Sequence, residues 1–214
     1  MQKFRIRFFL FLNAVIVISS CNQYRHMQKI QSDESCIQKF KPVFTQVMYR
    51  TSADVIGKHL SGLLVFKFMA DSSTRVVFSN EMGFSFFDFG FGPGNEFMVY
   101  QILPQFDKKS VIKTLRKDFE LILFRNMDYP QYFTLKDSSL LYHAFPQTQG
   151  INYYITDTNC RQLVKMQRAS NKKPVMEAYE IGDIQGNSPD SIQIRHLNFS
   201  LNISLKKITQ IASQ

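Results

Sequence analysis

Tryptophan is absent from these 214 residues, cysteine occurs three times and glycine nine. No two cysteines form a C-x-x-C pair, and no His/Cys pair stands at ligand spacing, so no metal is expected. No G-x-S-x-G elbow occurs. The glycines of "GFGPG" (90–94) lack the strand, loop and helix order of a phosphate cradle. "DFG" at Asp88–Gly90 stands without any other kinase element. Each of the four histidines reads as structural: His196 ends a period-two face, and His59 could contact Asp54 or Glu81. The expectation is a protein without enzymatic chemistry or cofactor. After residue 20 no apolar run reaches the roughly 20 residues of a membrane-spanning helix.

Acids are missing from the start of the chain: none precedes Cys21, while Lys3, Arg5 and Arg7 do. An apolar stretch from Phe8 to Ile18 follows, broken only by Asn13 and too short to span a bilayer. A basic segment, a short apolar segment and small residues before a cut form a secretory signal. Here the small residues lead into a thiol, and Ile18-Ser19-Ser20-Cys21 resembles the lipobox of bacterial lipoproteins. That resemblance implies cleavage after residue 20, a diacylglycerol on the Cys21 sulfur and acylation of the new amino terminus. Two or more acyl chains hold a protein firmly to a membrane, since each buried methylene contributes about 0.8 kcal/mol. Losing residues 1–20 lowers the formal charge from +9 to +6. The bases are scattered rather than striped, which argues against nucleic acid and suits a solvated surface beside anionic lipid.

What is abundant is phenylalanine, 21 residues of it. That load implies either a thick core or an apolar cavity, and composition does not choose. The order expected is a signal peptide over 1–20, a lipidated tether over 21–39 and one β domain over 40–214. "FTQVMYRTSADV" (44–55) is ambiguous between strand and helix. "KHLSGLLVFKFM", "STRVVFSN", "GFSFFDFGF" and "NEFMVYQIL" are strands joined by short turns, as antiparallel neighbours are. In "DKKSVIKTLRKDFELILF" (107–124), Val111, Ile112, Leu115, Phe119, Ile122 and Leu123 recur at helical spacing, with Asp107 as N-cap. After a loop around "NMDYPQYFTLKD", six more strands follow and end in "NFSLNISL". The fold class is mainly β (α+β): a strongly curved antiparallel sheet or unclosed barrel of about ten strands with one central amphipathic helix.

One apolar face of these strands and of the helix would line a cavity or fill a core. Its members are Leu64, Phe66, Phe68, Val76, Phe78, Met98, Tyr100, Ile102, Leu115, Phe119, Ile122, Phe199, Leu201 and Ile203. Alternation sets Phe87, Phe89 and Phe91 on one face and Asp88 on the other, where a lysine partner is expected. Cys36 and Cys160 could pair in an oxidising envelope.

Three stretches, "LSGLLVFKFMADSSTRVVFSNEMGFSFFDFGF" (60–91), "KKSVIKTLRKDFELIL" (108–123) and "SPDSIQIRHLNFSLNISLKKI" (188–208), together resemble the LolA/LolB-like lipoprotein-carrier superfamily. The resemblance implies an unclosed barrel lidded by helices, with a cavity for the acyl chains of lipoproteins in transit. Cys21 fits the LolB-like branch, whose members are outer-membrane lipoproteins. Asn22 stands where an aspartate would retain an enterobacterial lipoprotein at the inner membrane. That branch carries an exposed apolar tip for membrane insertion, and Phe91 is the candidate here. The expected function is a periplasm-facing, outer-membrane lipoprotein that binds lipid or lipoprotein acyl chains. The alternative is a scaffold lipoprotein of an envelope complex, with a filled core and no ligand.

Overall fold

A computed structural model describes residues 23–31, 35–55, 58–125, 127, 131–182 and 188–208; the signal segment and Cys21 lie outside them. Among the described residues thirteen strands form a single antiparallel sheet. In chain order they are β1 (Gln28–Ile30), β2 (Gln46–Val55), β3 (Lys58–Phe68), β4 (Thr74–Ser79), β5 (Ser85–Phe91), β6 (Phe97–Ile102) and β7 (Phe133–Lys136). Then come β8 (Leu140–Pro146), β9 (Ile151–Asp157), β10 (Leu163–Ala169), β11 (Pro174–Ile181), β12 (Ser191–His196) and β13 (Leu201–Lys207). Two helices accompany them, the short α1 (Ser35–Gln38) and the longer α2 (Lys109–Ile122). The spatial order is β1-β7-β8-β9-β10-β11-β12-β13-β2-β3-β4-β5-β6, so the sheet has two free edges, β1 and β6. It is an unclosed barrel, curved around α2.

Strict alternation turns one face inward. On β2, Val47, Tyr49, Thr51 and Ala53 are buried between exposed Met48, Arg50 and Asp54, which resolves the ambiguous segment as strand. The inner faces and the last turns of α2 share one core that includes Phe66, Phe89, Phe91, Phe119, Leu121, Ile122, Phe124 and Tyr154. Only the C-terminal part of α2, Asp118 to Ile122, is fully buried. Its start is at Lys109, and Lys108 rather than Asp107 is the N-cap, with no side-chain cap bond.

The segment expected as a tether is docked where it is described. Tyr24 is buried on the outer face against Tyr153, with ring centroids 4.7 Å apart. Further along, β1 pairs with β7. Polar composition hid this strand because it contributes backbone pairing and one aromatic anchor rather than an apolar face. Strand β7, expected as loop, is also only four residues long.

A bulge between Asp88 and Phe89 shifts the β5–β6 register. It lets Phe97 and Ile102, five residues apart, both pack on the core while Met98, Val99 and Tyr100 are exposed. Gly62 is required where β3 meets β4, because a Cβ there would collide with the Ser79 carbonyl.

Candidate functional site

Between α2 and the inner faces of β2, β3 and β13 lies a cavity of about 360 Å³. Strand direction alternates, so the end of β2, the loops 80–84 and 197–200 and the start of α2 share one end of the barrel, and the cavity opens there. On the sheet side its wall is Thr51, Ala53 and Val55 of β2, Leu60 and Leu64 of β3, Phe78, Phe87, Leu201 and Ile203. Opposite stand Ser110, Val111, Thr114, Leu115 and Phe119 of α2, with Phe106 and Phe199 at the rim. Among the described residues the wall holds no charged side chain, and Thr51, Ser110 and Thr114 alone supply side-chain polar atoms. The Thr51 hydroxyl is already satisfied by the Tyr49 carbonyl at 3.3 Å.

The floor is aromatic. Phe119 meets Phe66, Phe87 and Phe91 at centroid distances of 6.0, 5.8 and 6.3 Å, and Phe87 stacks on Phe89 at 4.5 Å. These rings fill the far half of the barrel and end the cavity. A clamp holds α2 above this floor. Asp118, fully buried, accepts hydrogen bonds from Arg168 Nη1 of β10 and from His196 Nε2 of β12, each at 2.7 Å. His196 also packs on the Phe199 ring at 4.6 Å, linking the clamp to the rim.

Of the residues expected to line a cavity, Leu64, Phe78, Leu115, Phe119, Phe199, Leu201 and Ile203 do so. Phe66, Val76 and Ile122 share their face but are fully buried in the filled half. Phe68 is 55% exposed and borders a different hollow at the opposite end. That hollow is larger, about 930 Å³, but polar groups such as Gln38, Lys41, Asn95 and Arg125 border it. Met98 and Tyr100 lie outside on β6, a consequence of the bulge. Tyr100 stacks under the Arg75 guanidinium at 3.7 Å, and Arg75 Nε donates to Asp88 at 2.8 Å. The partner of Asp88 is thus an arginine across the strand pair and not the lysine expected.

Phe91, expected as an exposed tip, is fully buried against Phe97 and Phe119, so it is not available to a membrane. Strand alternation carries it inward with Phe87 and Phe89. At the opposite end of β5, beside the cavity mouth, Met82 (80%) and Phe84 (66%) are exposed in the β4–β5 turn. Asn80 shapes that turn by accepting the Met82 and Phe84 N–H groups at 3.0 and 2.8 Å, with Gly83 at φ +86°. Thr51, Ala53 and Val55 were not singled out from sequence, although their period-two pattern was there to read. Phe106, Ser110 and Thr114 gave no such signal, because loops and helix starts share polar composition.

Cys36 and Cys160 are bonded, with Cα atoms 5.9 Å apart, and join α1 to the β9–β10 turn. Beside them His143 is fully buried, within 2.9 Å of the Tyr132 hydroxyl and 3.2 Å of Thr156 Oγ1. Burial pushes its pKa down from 6.5 to about 4, so it is neutral. Among the described residues no group of His, Cys, Asp and Glu could hold a metal ion, and no helix is long and apolar enough to cross a membrane.

No family model and no curated protein matches the chain. Among solved structures it is similar to a DUF1329 family protein from Desulfovibrio piger, at 9% identity and a TM-score of 0.44. That match covers 85% of this chain and 93% of the other. It is also similar to the LolA superfamily protein NE2245 from Nitrosomonas europaea, at 8% identity and a TM-score of 0.47. The second match covers 84% and 93% of the two chains. Both likenesses are loose, and the functional reading rests on the cavity.

Proposed function

We propose that the protein is a non-enzymatic lipoprotein of the bacterial outer membrane, anchored through Cys21 and facing the periplasm, that binds lipid or lipoprotein acyl chains in the cavity beneath α2. The observation that carries this reading is a 360 Å³ space whose wall, among the described residues, has no charged side chain. An apolar space of that size is within the range of small-molecule sites. An acyl chain would enter it on hydrophobic burial alone, at about 25 cal/mol per Å² of apolar surface. The rim suits delivery from a membrane: Phe199 is 45% exposed, and Met82 and Phe84 project at the same end. These two residues take the tip role that Phe91 cannot.

The test is a native purification of the full chain carrying Cys21→Ser, followed by mass spectrometry of extracted lipid and titration with a fluorescent fatty acid. Acyl ligand in the extract, or saturable uptake of the probe, is expected. A chain that carries no lipid and takes up no probe would leave the scaffold reading standing.

A further inference from the structure

We propose that the cavity takes one acyl chain at a time, so that its ligand is a single-chain amphiphile whose polar head remains outside the barrel. This rests on the acyl-binding reading above and narrows it by three independent measures.

The first is depth. On β2 the cavity wall runs from Val55 to Thr51, four residue steps, or about 13 Å at roughly 3.3 Å per residue. On α2 it runs from Ser110 to Phe119, nine steps, or again about 13 Å at roughly 1.5 Å per residue. An extended chain advances roughly 1.25 Å per methylene, given bonds of about 1.5 Å. The depth therefore holds about ten methylenes.

The second is volume. At roughly 27 Å³ per close-packed methylene, 360 Å³ holds about thirteen. Depth and volume agree on one chain, slightly bent. The two chains of a diacyl phospholipid exceed the space, as do the three of a fully acylated lipoprotein terminus. The floor cannot yield more room without breaking the packed rings of Phe66, Phe87, Phe91 and Phe119.

The third is polarity. Among the described residues the wall carries no charge and three hydroxyls, so it offers a headgroup no ion partner, and a buried unpaired charge is costly. The head therefore stays at the mouth.

A free fatty acid and a lysophospholipid share this chemistry, and the experiment separates them. The delipidated Cys21→Ser chain is titrated with saturated fatty acids of eight to eighteen carbons, lysophosphatidylglycerol, a dioleoyl phospholipid and a triacylated lipopeptide. Native mass spectrometry reads the stoichiometry. One fatty acid per protein is expected, with affinity rising to about twelve carbons and flat beyond, and at least tenfold weaker binding of the dioleoyl lipid and lipopeptide. Thr114→Leu and Ala53→Leu each intrude on the space, and each is expected to shift the plateau down by roughly three carbons. Lysolipid binding as tight as fatty acid places no selection on the head; weaker binding assigns the free carboxylate. Two chains per protein, or multi-chain lipids binding as tightly as single chains, would overturn the inference while leaving the acyl-binding function intact. If nothing binds, the function itself fails.

Discussion

The two halves of the barrel use the same strands and the same alternation, yet one is packed solid and the other is hollow. In the filled half the inner face carries Tyr49, Phe66, Phe89 and Phe91, and α2 contributes Phe119, Leu121 and Ile122, all nearly inaccessible. In the open half the same β2 offers Thr51 and Ala53, β3 has Gly62 opposite Thr51, and α2 presents Ser110 and Thr114. The cavity is therefore a matter of side-chain volume along the barrel axis rather than of fold. The helix α2 covers a graded surface, and the space appears where the gradient reaches small residues. The Asp118 clamp sits at the boundary and stops α2 from sinking into the open half.

Substitutions should break this contrast unequally. Phe119→Ala removes the hub of the aromatic floor and is expected to cost about 3 to 5 kcal/mol in urea denaturation. A loss under about 1 kcal/mol would mean that the floor is not packed as described.

Proton linkage gives the next largest effect, and the two buried groups responsible lie away from the open half. Glu180 has a partly exposed stem, but both carboxylate oxygens are buried without a partner among the described residues. Burial raises its pKa from 4.5 to about 8. Its protonated form is the one that folds well, so its contribution is complete below about pH 4.5 and is lost as pH rises through 8. That amounts to about 5 kcal/mol at most. His143 runs the other way: depressed to about 4, it stabilises fully above pH 6.5 and loses about 3 kcal/mol as pH falls through 4. The urea midpoint should be flat between about pH 4.5 and 6.5 and fall on either side of that window, and Glu180→Gln should flatten the alkaline arm. An alkaline arm unchanged in that variant would acquit Glu180.

The Cys36–Cys160 bond ties the N-terminal segment to the filled half. Replacing both cysteines by serine should lower stability by about 2 to 4 kcal/mol, read as a lowered midpoint that no longer responds to reductant. Smallest of all, Ala53→Leu adds bulk to the open half and should change stability by less than about 1 kcal/mol in either direction. A cost as large as that of Phe119→Ala would show that the hollow half is packed after all.

Much of this contrast was legible residue by residue, though not as a contrast. Alternation placed Leu64, Phe78, Leu201 and Ile203 on an inner face, and helical spacing did the same for Leu115 and Phe119. It could not say that Phe66 and Ile122, on that same face, would be sealed under neighbouring rings. Nor could it place Met98 and Tyr100, because the β5–β6 bulge interrupts the period that such reading assumes. Phe91 looked exposed beside "GPG", yet the turn begins one residue later and the ring is carried inside.

The sequence by itself determined the order of the principal strands and of α2 and the direction of most of their apolar faces, because these depend on spacing between near neighbours along the chain. Tertiary structure decided which of those faces fills and which stays empty. It also decided that residues 23–31 dock rather than trail, and that Cys36 meets Cys160 across 124 positions. The physical reason is that volume must be matched in three dimensions: a side chain fills space only in relation to partners from strands far away in sequence, and register and bulges set those partners.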